Sequence, residues 1–230
     1  MIKLAPLRAA PRTHAPQVRP AYRLLRGAHD SVSGLFDVVQ DLSVVRRDGN
    51  QTKKGPMARE EVDILRAAVV LTSSGLDASM QRLVRDVGGC LILRPGTGAR
   101  KQYEEYMKAE LSGGAVGIRD AVLGFDPKTS LLEYYLAART KASLQGSGDL
   151  KVRVRCVLGI SKSVIPDTRL EALDQFFTVR NSIVHEMDYR KSSGATTARN
   201  KRAPDDVAAM CASTFGVAAD FMHAAAAVLK

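Results

Sequence analysis

The chain has 230 residues, enough for one large domain or two small ones with a sizeable core. Its formal net charge is +10, with a pI near 9.7, so its surface attracts polyanions, nucleic acid first; a basic surface without a partner is an equal alternative. Three scattered cysteines exclude a disulfide framework and favour buried thiols in a reducing cytoplasm, and no apolar run is long enough to span a membrane.

The first twenty residues, MIKLAPLRAAPRTHAPQVRP, carry basic side chains and prolines but no acid. This composition resembles that of a transit peptide. The prolines prevent a continuous amphipathic helix, however: Pro6, Pro11, Pro16 and Pro20. We therefore predict a flexible basic arm over residues 1–20, which becomes ordered only where it docks on a surface.

Hydrophobic residues recur at helical spacing in two long segments after the arm. Residues 21–55 predict an N-terminal helix and a polar loop, the helix with this apolar stripe: Leu24, Leu25, Val32, Leu35, Val38, Val39 and Leu42. Residues 59–87 predict the clearest helix, with this stripe: Val62, Leu65, Val69, Leu76, Met80, Leu83 and Val87. Glu60 and Glu61 lie in its first turn, where the helix dipole favours acids, and Gly88 and Gly89 are expected to end it.

The second half of the chain is also predicted to be helical. A short helix over 100–111 ends at Gly113 and Gly114, and another covers 130–145. In residues 150–158, LKVRVRCVL, apolar and basic residues alternate, which is typical of a strand, but a short helix fits equally. We prefer the helix, because the sequence offers no second strand to pair with it. A helix over 166–186 has this inward stripe: Leu170, Leu173, Phe177 and Val184. With a last helix over about 205–229, the chain is an all-α domain of antiparallel helices.

The segment RNSIVHE, residues 180–186, brings three chemically useful side chains together. Asn181 and His185 are one turn apart on the same helix face, and Arg180 lies further round but is long enough to reach back. A histidine moves protons near neutral pH, an arginine holds a phosphate bidentately, and an asparagine orients a phosphate oxygen or the imidazole. The alternative is a structural histidine that caps a carbonyl or pairs with Glu186.

The stretch RNSIVHEMD resembles the Arg-x4-6-His signature of the HEPN superfamily, in which a polar residue follows the arginine and apolar residues precede the histidine. The segment ILRAAVVLTSSGLDASMQRLVRDV is similar to the first core helix of RiboL-PSP-HEPN-like proteins, with Asp77 at the place of their acidic residue. Glu186 and Asp188 match the acidic pair after the histidine. The resemblance assigns residues 56–230 to a HEPN-like helical bundle that forms a homodimer through its signature helix.

The resemblance also implies an activity. Many members are metal-independent endoribonucleases that need no cofactor and leave a 2′,3′-cyclic phosphate. His185 would carry the proton, Arg180 would hold the phosphate, and Asn181 would orient it. Such proteins act as bacterial toxins or phage-defence effectors in the cytoplasm, with an antitoxin or defence-system partner. Met187 stands where members silenced by AMP transfer have a tyrosine, so that regulation is not expected here.

Further residues are candidates for supporting roles. Asp77 and Glu186 would support the site, although Asp77 would equally serve as the partner of a helix-side cation. A basic cluster after the motif would steer the RNA backbone or be a solvated loop: Arg190, Lys191, Arg199, Lys201 and Arg202. No metal-ligand spacing occurs, and RPGTGARK lacks the P-loop pattern.

Two other functions fit the same fold. One is a non-catalytic RNA-binding or protein-interaction module. The other is an interaction subunit whose basic arm docks on an acidic partner protein. Strong, salt-dependent binding of RNA that stays intact would favour the module. Loss of partner binding on deletion of residues 1–20, with RNA cleavage unchanged, would support a role of the arm separate from catalysis.

Overall fold

The computed structural model describes residues 3–11, 15–49, 57–113, 116–190 and 198–230. Within these ranges the regular structure is helical, apart from one isolated antiparallel bridge between Tyr189 and Arg199, which confirms the all-α class. The α-helices are α1 (Arg19–Gly49), α2 (Arg59–Leu83), α3 (Gly89–Leu93), α4 (Gly98–Ser112), α5 (Val116–Leu123), α6 (Pro127–Thr140), α7 (Ser147–Asp149), α8 (Asp167–Glu171), α9 (Asp174–Glu186) and α10 (Pro204–Val228). A 3-10 turn, Pro16–Val18, precedes α1, and π-helical turns cover Val84–Gly88 and Leu150–Arg155.

Helix α2 is the centre of the fold, because α1, α9 and α10 all pack against it. Its predicted apolar stripe is buried, with Val62 half-buried at the N-terminal end. Small polar residues of α2 are buried as well, and their hydroxyls are satisfied within the helix: Thr72 donates to the carbonyl of Ala68 at 2.8 Å and Ser79 to that of Leu76 at 3.0 Å. The helix therefore makes contacts around most of its circumference.

Helix α1 buries a narrower stripe than the sequence predicts. Leu25, Val32 and Val39 are buried as expected, and Phe36 joins them. Three predicted core positions are instead exposed: Leu24, Val38 and Leu42. Packing against the rest of the fold buries only the residues that recur every three or four positions along one face of α1. The apolar residues on either side of that face remain exposed to solvent.

Gly88 and Gly89 do not end the second helix, contrary to the expectation from sequence. The chain continues through the π-helical turn into α3 and stops at Arg94, before Pro95. The missing side chain at Gly88 serves packing, because a Cβ there would lie 3.1 Å from the Val157 side chain. Gly88 therefore serves close packing against Val157 rather than a helix cap.

The later elements agree with the sequence in part. Residues Leu150–Arg155 are helical, as preferred, and Leu150, Val154 and Val157 are buried. Helix α5 was not predicted. The segment over 166–186 is two helices, since α8 ends at Glu171 and α9 begins at Asp174. This break changes the register, so Val184 is exposed while Phe176, Val179 and Ile183 are buried.

The last helix, α10, is long and apolar enough to cross a membrane, which corrects the statement from sequence that no segment is. In the protein, 56% of the most apolar 18-residue stretch of α10 is buried, and the helix packs against α2 and α1. This is the ordinary environment of a core helix. Cys211 of α10 is buried, and burial raises the pKa of its thiol to about 11, whereas Cys90 and Cys156 are half-buried.

Part of the predicted arm, residues 3–11, has a defined position in the fold. Residues 3–11 lie against α1 and α10, without helix or strand of their own, and Pro16 starts the 3-10 turn that leads into α1. Helix α1 packs along α2, so the helix predicted in the N-terminal segment belongs to the same body as the helices that follow it.

Candidate functional site

Helix α9 positions the three signature side chains at its outer edge. Its inner face is anchored by Phe176, Phe177, Val179 and Ile183. Arg180 and Asn181 are half-buried, and His185 is exposed in the last turn. Nη1 of Arg180 donates to Oδ1 of Asn181 at 2.8 Å. The arginine therefore reaches round the helix to the face that Asn181 shares with His185.

Only part of the Arg180 guanidinium is satisfied. Its Nε atom is enclosed and, among the residues the structure describes, has no hydrogen-bond partner. No carboxylate in the described ranges forms an ion pair with Arg180. An unsatisfied buried donor costs roughly 1–3 kcal/mol, and such groups in native proteins call for an explanation such as a missing ligand. The arginine is thus available to an anion from outside the described part of the chain.

His185 also has an unsatisfied side chain within the described residues. Its ring makes no hydrogen bond to any described residue, so neither a carbonyl cap nor a pair with Glu186 is seen there. The other histidines of the described ranges are used differently: Nε2 of His29 and of His223 bonds to the carbonyl oxygens of Ala5 and Ala9. His14 lies outside the described residues.

Directly after the signature, the chain turns sharply. Met187 and Asp188 have φ values of 52° and 60°, in the left-handed region that side-chain-bearing residues seldom adopt. The turn carries Asp188 into the interior, where its side chain is completely buried. Its backbone N–H donates to the carbonyl of Ser182 at 2.9 Å, which closes the end of α9.

The buried carboxylate of Asp188 is the hub of an ion network. Oδ2 accepts from Nε of Arg66 at 2.8 Å and from Nε of Arg202 at 3.0 Å. Oδ1 accepts from Nη2 of Arg202 and from Nδ2 of Asn200 at 3.0 Å. Burial alone would raise the pKa of Asp188, but hydrogen bonds from Arg202, Asn200 and Arg66 together hold it below its ordinary value. The network joins α2, the end of α9 and the segment before α10.

Asp63 extends this network on the side of α2. Its Oδ1 lies 2.8 Å from Nη1 of Arg66 and 2.6 Å from Nη1 of Arg199. Nε of Arg199 donates to the carbonyl of Met187 at 3.1 Å, and its guanidinium lies over the Tyr189 ring. The two carboxylates therefore bind Arg66, Arg199 and Arg202, and these contacts fix the chain on both sides of the turn.

The predicted basic cluster thus divides into two kinds of residue. Arg199 and Arg202 are engaged by carboxylates, with side chains only 18% and 15% exposed. Arg190 and Lys201 are exposed, and Lys191 lies outside the described residues. A cleft beside the network has this lining: Arg59, Val62, Arg66, Tyr189, Arg199, Asn200 and Lys201. Free cationic charge for a polyanion is therefore smaller than the sequence suggests.

The structure places Asp77 away from the signature residues. Its carboxylate accepts from the backbone N–H of Leu144 at 2.9 Å and from Nε2 of Gln81 at 3.1 Å. Ser147, three residues beyond Leu144, bonds to Asp174 at the start of α9. Asp77 therefore lies towards the N-terminal end of α9 and His185 at its C-terminal end. Glu186 is exposed, with Oε2 3.5 Å from the Ser182 hydroxyl.

The sequence named Asp188 only as a match to the family's acidic pair, and it did not point to Asp63, Arg66 or Asn200 as members of the ion network. One signal was present for Arg66, which interrupts the apolar run ILRAAVVL. A cation on a buried face needs a carboxylate partner, because burying an isolated charge is too costly. The sequence does not say which of the acids is the partner.

No group of three or more His, Cys, Asp or Glu side chains that could hold a metal ion occurs in the described part of the chain. Comparisons with protein-family models, with curated proteins and with solved structures find no match for this chain.

Proposed function

We propose that the chain is an endoribonuclease of the HEPN type, with Arg180, Asn181 and His185 as its reactive group. The contact between Arg180 and Asn181, one turn before an exposed histidine that bonds to no described residue, carries the proposal. The resemblance of RNSIVHEMD to the family signature supports it. These three side-chain types provide proton transfer, phosphate binding and orientation without a metal ion or a cofactor.

In the proposed reaction, the 2′-hydroxyl of RNA attacks the adjacent phosphorus while His185 accepts its proton. The bond from phosphorus to the 5′-oxygen breaks, and that oxygen receives a proton from a second group. The products are a 2′,3′-cyclic phosphate and a 5′-hydroxyl. Arg180 binds the non-bridging oxygens as negative charge develops on them, and Asn181 holds the guanidinium in place.

The second proton-transfer group would come from a second copy of the chain. A twofold axis beside α9 places two His185 rings in one composite site. Two exposed apolar side chains next to the histidine, Val184 and Met187, provide a surface for such a contact. In this proposal Glu186 supports the dimeric site. The protein acts in the cytoplasm as a toxin or phage-defence effector, under the control of an antitoxin or defence-system partner.

The test is cleavage of a defined RNA by the purified protein in EDTA. We expect cyclic-phosphate ends from the wild type and a loss of roughly 100-fold or more for His185→Ala, the usual contribution of general acid–base catalysis. Arg180→Ala is expected to lose a similar factor. Thr178→Ala, a matched control on the outer face of α9, keeps its activity. Full activity of His185→Ala would show that the assigned site is wrong.

The dimeric site has its own readout in the same assay. Each of two inactive chains, His185→Ala and Arg180→Ala, still contributes the residue that the other lacks. Mixing them is expected to restore cleavage if the site is composite. Two inactive chains that stay inactive after mixing would contradict a shared site.

A non-catalytic RNA-binding module is the second candidate. It is favoured by one observation: within the described residues, His185 has no second histidine near it. Strong, salt-dependent binding of RNA that remains intact at every concentration of the wild-type chain would establish the module instead of the nuclease.

A further inference from the structure

Residues 3–11 occupy a groove between α1 and α10, where their main chain is held by side chains of both helices. Three donors meet three carbonyl oxygens: Tyr22 Oη to Arg8 at 3.1 Å, His29 Nε2 to Ala5 at 2.9 Å and His223 Nε2 to Ala9 at 3.0 Å. A carbonyl oxygen only accepts, so both imidazoles carry their proton on Nε2. Recognition of this kind depends on the path of the backbone rather than on particular side chains.

The side chains of the segment add a simple pattern. Leu4 and Leu7, three residues apart, are partly buried against the core, and most of the others are exposed. Arg8 lies 3.6 Å from the carboxylate of Asp220. Pro6 and Pro11 lack an N–H and resist helix formation, which suits a groove that offers donors. The groove therefore fits an extended, proline-containing peptide with two apolar side chains followed by a cation.

The walls of the groove are rigid parts of the fold. His29 is 8% exposed, and its ring packs edge-on against Phe215, with ring centroids 5.2 Å apart. Asp220 is held by Arg169, whose Nη2 lies 3.1 Å from Oδ2. Aromatic donors on a rigid surface are a common way to bind proline-rich segments.

A cleft opens beside Arg8, towards α8, with this lining: Arg8, Val164, Ile165, Pro166, Arg169, Asp220, His223 and Ala224. Much of its lining is apolar, and the carboxylate of Asp220 pairs with Arg8 there. The Arg8 side chain therefore borders an open surface as well as the groove.

We propose that this groove is a docking site for an extended, proline-containing, basic segment of a partner protein, and that residues 3–11 occupy it in cis. The segment behaves as a ligand because it contributes few buried side chains and is recognised through its carbonyls. Covalent connection to α1 gives it a high effective concentration, so a partner gains access only when the segment is displaced. The proposal does not depend on RNA cleavage.

The test uses the full chain and a fluorescein-labelled peptide with the sequence of residues 3–11. Leu7→Asp places a charge against the apolar floor and frees the groove. Ala10→Asp changes the charge equally at an exposed position and is the matched control. In anisotropy titrations, Leu7→Asp is expected to bind the peptide at least about tenfold more tightly than the wild type or Ala10→Asp, because the tethered competitor is removed. Adding His223→Ala to Leu7→Asp should weaken binding by about fivefold, through loss of one hydrogen bond.

Several results would overturn the proposal. One is equal peptide binding by the wild type, Leu7→Asp and Ala10→Asp. Another is peptide binding by Leu7→Asp that does not change when His223→Ala is added. A thermal melt that shows global unfolding of Leu7→Asp would make residues 3–11 a part of the fold rather than a ligand. Dimerisation of Leu7→Asp or wild type through exchanged segments, seen by gel filtration, would assign the groove to a second copy instead of a partner. RNA cleavage by the same chains is expected to stay unchanged, so failure here is distinct from failure of the nuclease.

Discussion

Asp188 shows how one residue fixes the geometry next to the proposed site. Its carboxylate is removed from water, which costs several kcal/mol, and the charged hydrogen bonds of Arg66 and Arg202 offset that cost. Because Asp188 follows His185 by three residues, the network also sets where α9 ends. A long-range ion network therefore supports a histidine that itself has no described partner.

Replacing this carboxylate should be costly. Asp188→Asn removes the carboxylate that Arg202 binds and leaves Arg66 with Asp63 alone. We expect the free energy of unfolding at neutral pH to fall by about 3–5 kcal/mol. Urea unfolding at fixed temperature measures it. Asp120→Asn, a matched change at an exposed position of α5, is expected to shift stability by no more than about 0.5 kcal/mol. Equal stability of the two variants would contradict the structural role of Asp188.

The same substitution should change how the free energy of unfolding depends on pH in acid. The pKa of Asp188 is lower in the folded chain than its ordinary value of 3.8, so its stabilisation is present above that value. It is lost as the pH falls through the folded pKa, because the unfolded chain then binds the proton more readily. Asp188→Asn should remove this component from the acid limb of the stability curve, while Asp120→Asn keeps it.

At the scale of elements, the close contact of α1 and α2 depends on a glycine. A Cβ at Gly75 would overlap the Cβ of Ala28, so the two helices approach here as closely as their backbones allow. Gly34 of α1 is the contrasting case, because a Cβ added there meets nothing within 4 Å. Both glycines lie within an α-helix, but only Gly75 packs against a neighbouring helix.

The pair gives a matched prediction. Gly75→Ala is expected to lower the free energy of unfolding by about 1–3 kcal/mol through overpacking, in spite of the better helix propensity of alanine. Gly34→Ala should raise it by up to about 1 kcal/mol, since only propensity acts. Thermal or urea unfolding of both variants measures the difference. A stabilised Gly75→Ala would show that the two helices separate without cost.

Much of the element pattern follows from the sequence because helical periodicity is a local property. The stripe of α2 and the contact of Arg180 with Asn181 both follow from residues close in the chain. The break between α8 and α9 and the π-helical turn before α3 do not, since they depend on neighbours such as Val157 against Gly88. The Arg66–Asp188 pair is harder still, because 122 residues separate its members and several acids compete as partners.

On the scale of the molecule, the net charge of +10 overstates the charge that is free to meet a polyanion. Many arginines are used to satisfy the protein's own acceptors. Arg153 donates to the carbonyls of Arg139 and Ser143 at 2.9 and 3.0 Å, and also to that of Ala142, so it caps the end of α6. Arg155 is buried against Asp167 and the carbonyl of Ile165. Such cations stabilise the fold and are not free to meet a polyanion.

This division predicts which cations determine the salt dependence of RNA binding. Arg190→Ala and Lys201→Ala remove exposed charges near the proposed site. Each should reduce the slope of log K against log salt concentration by about 0.7 for single-stranded RNA, the value for one released counterion. Lys128→Ala, equally exposed but on α6, is the control and should leave the slope unchanged. Arg202→Ala should instead lower stability, because Asp188 loses its bidentate partner.

Filter binding between about 50 and 200 mM salt measures the slopes. Identical slopes for Arg190→Ala, Lys201→Ala and Lys128→Ala would show that the RNA follows another face of the protein.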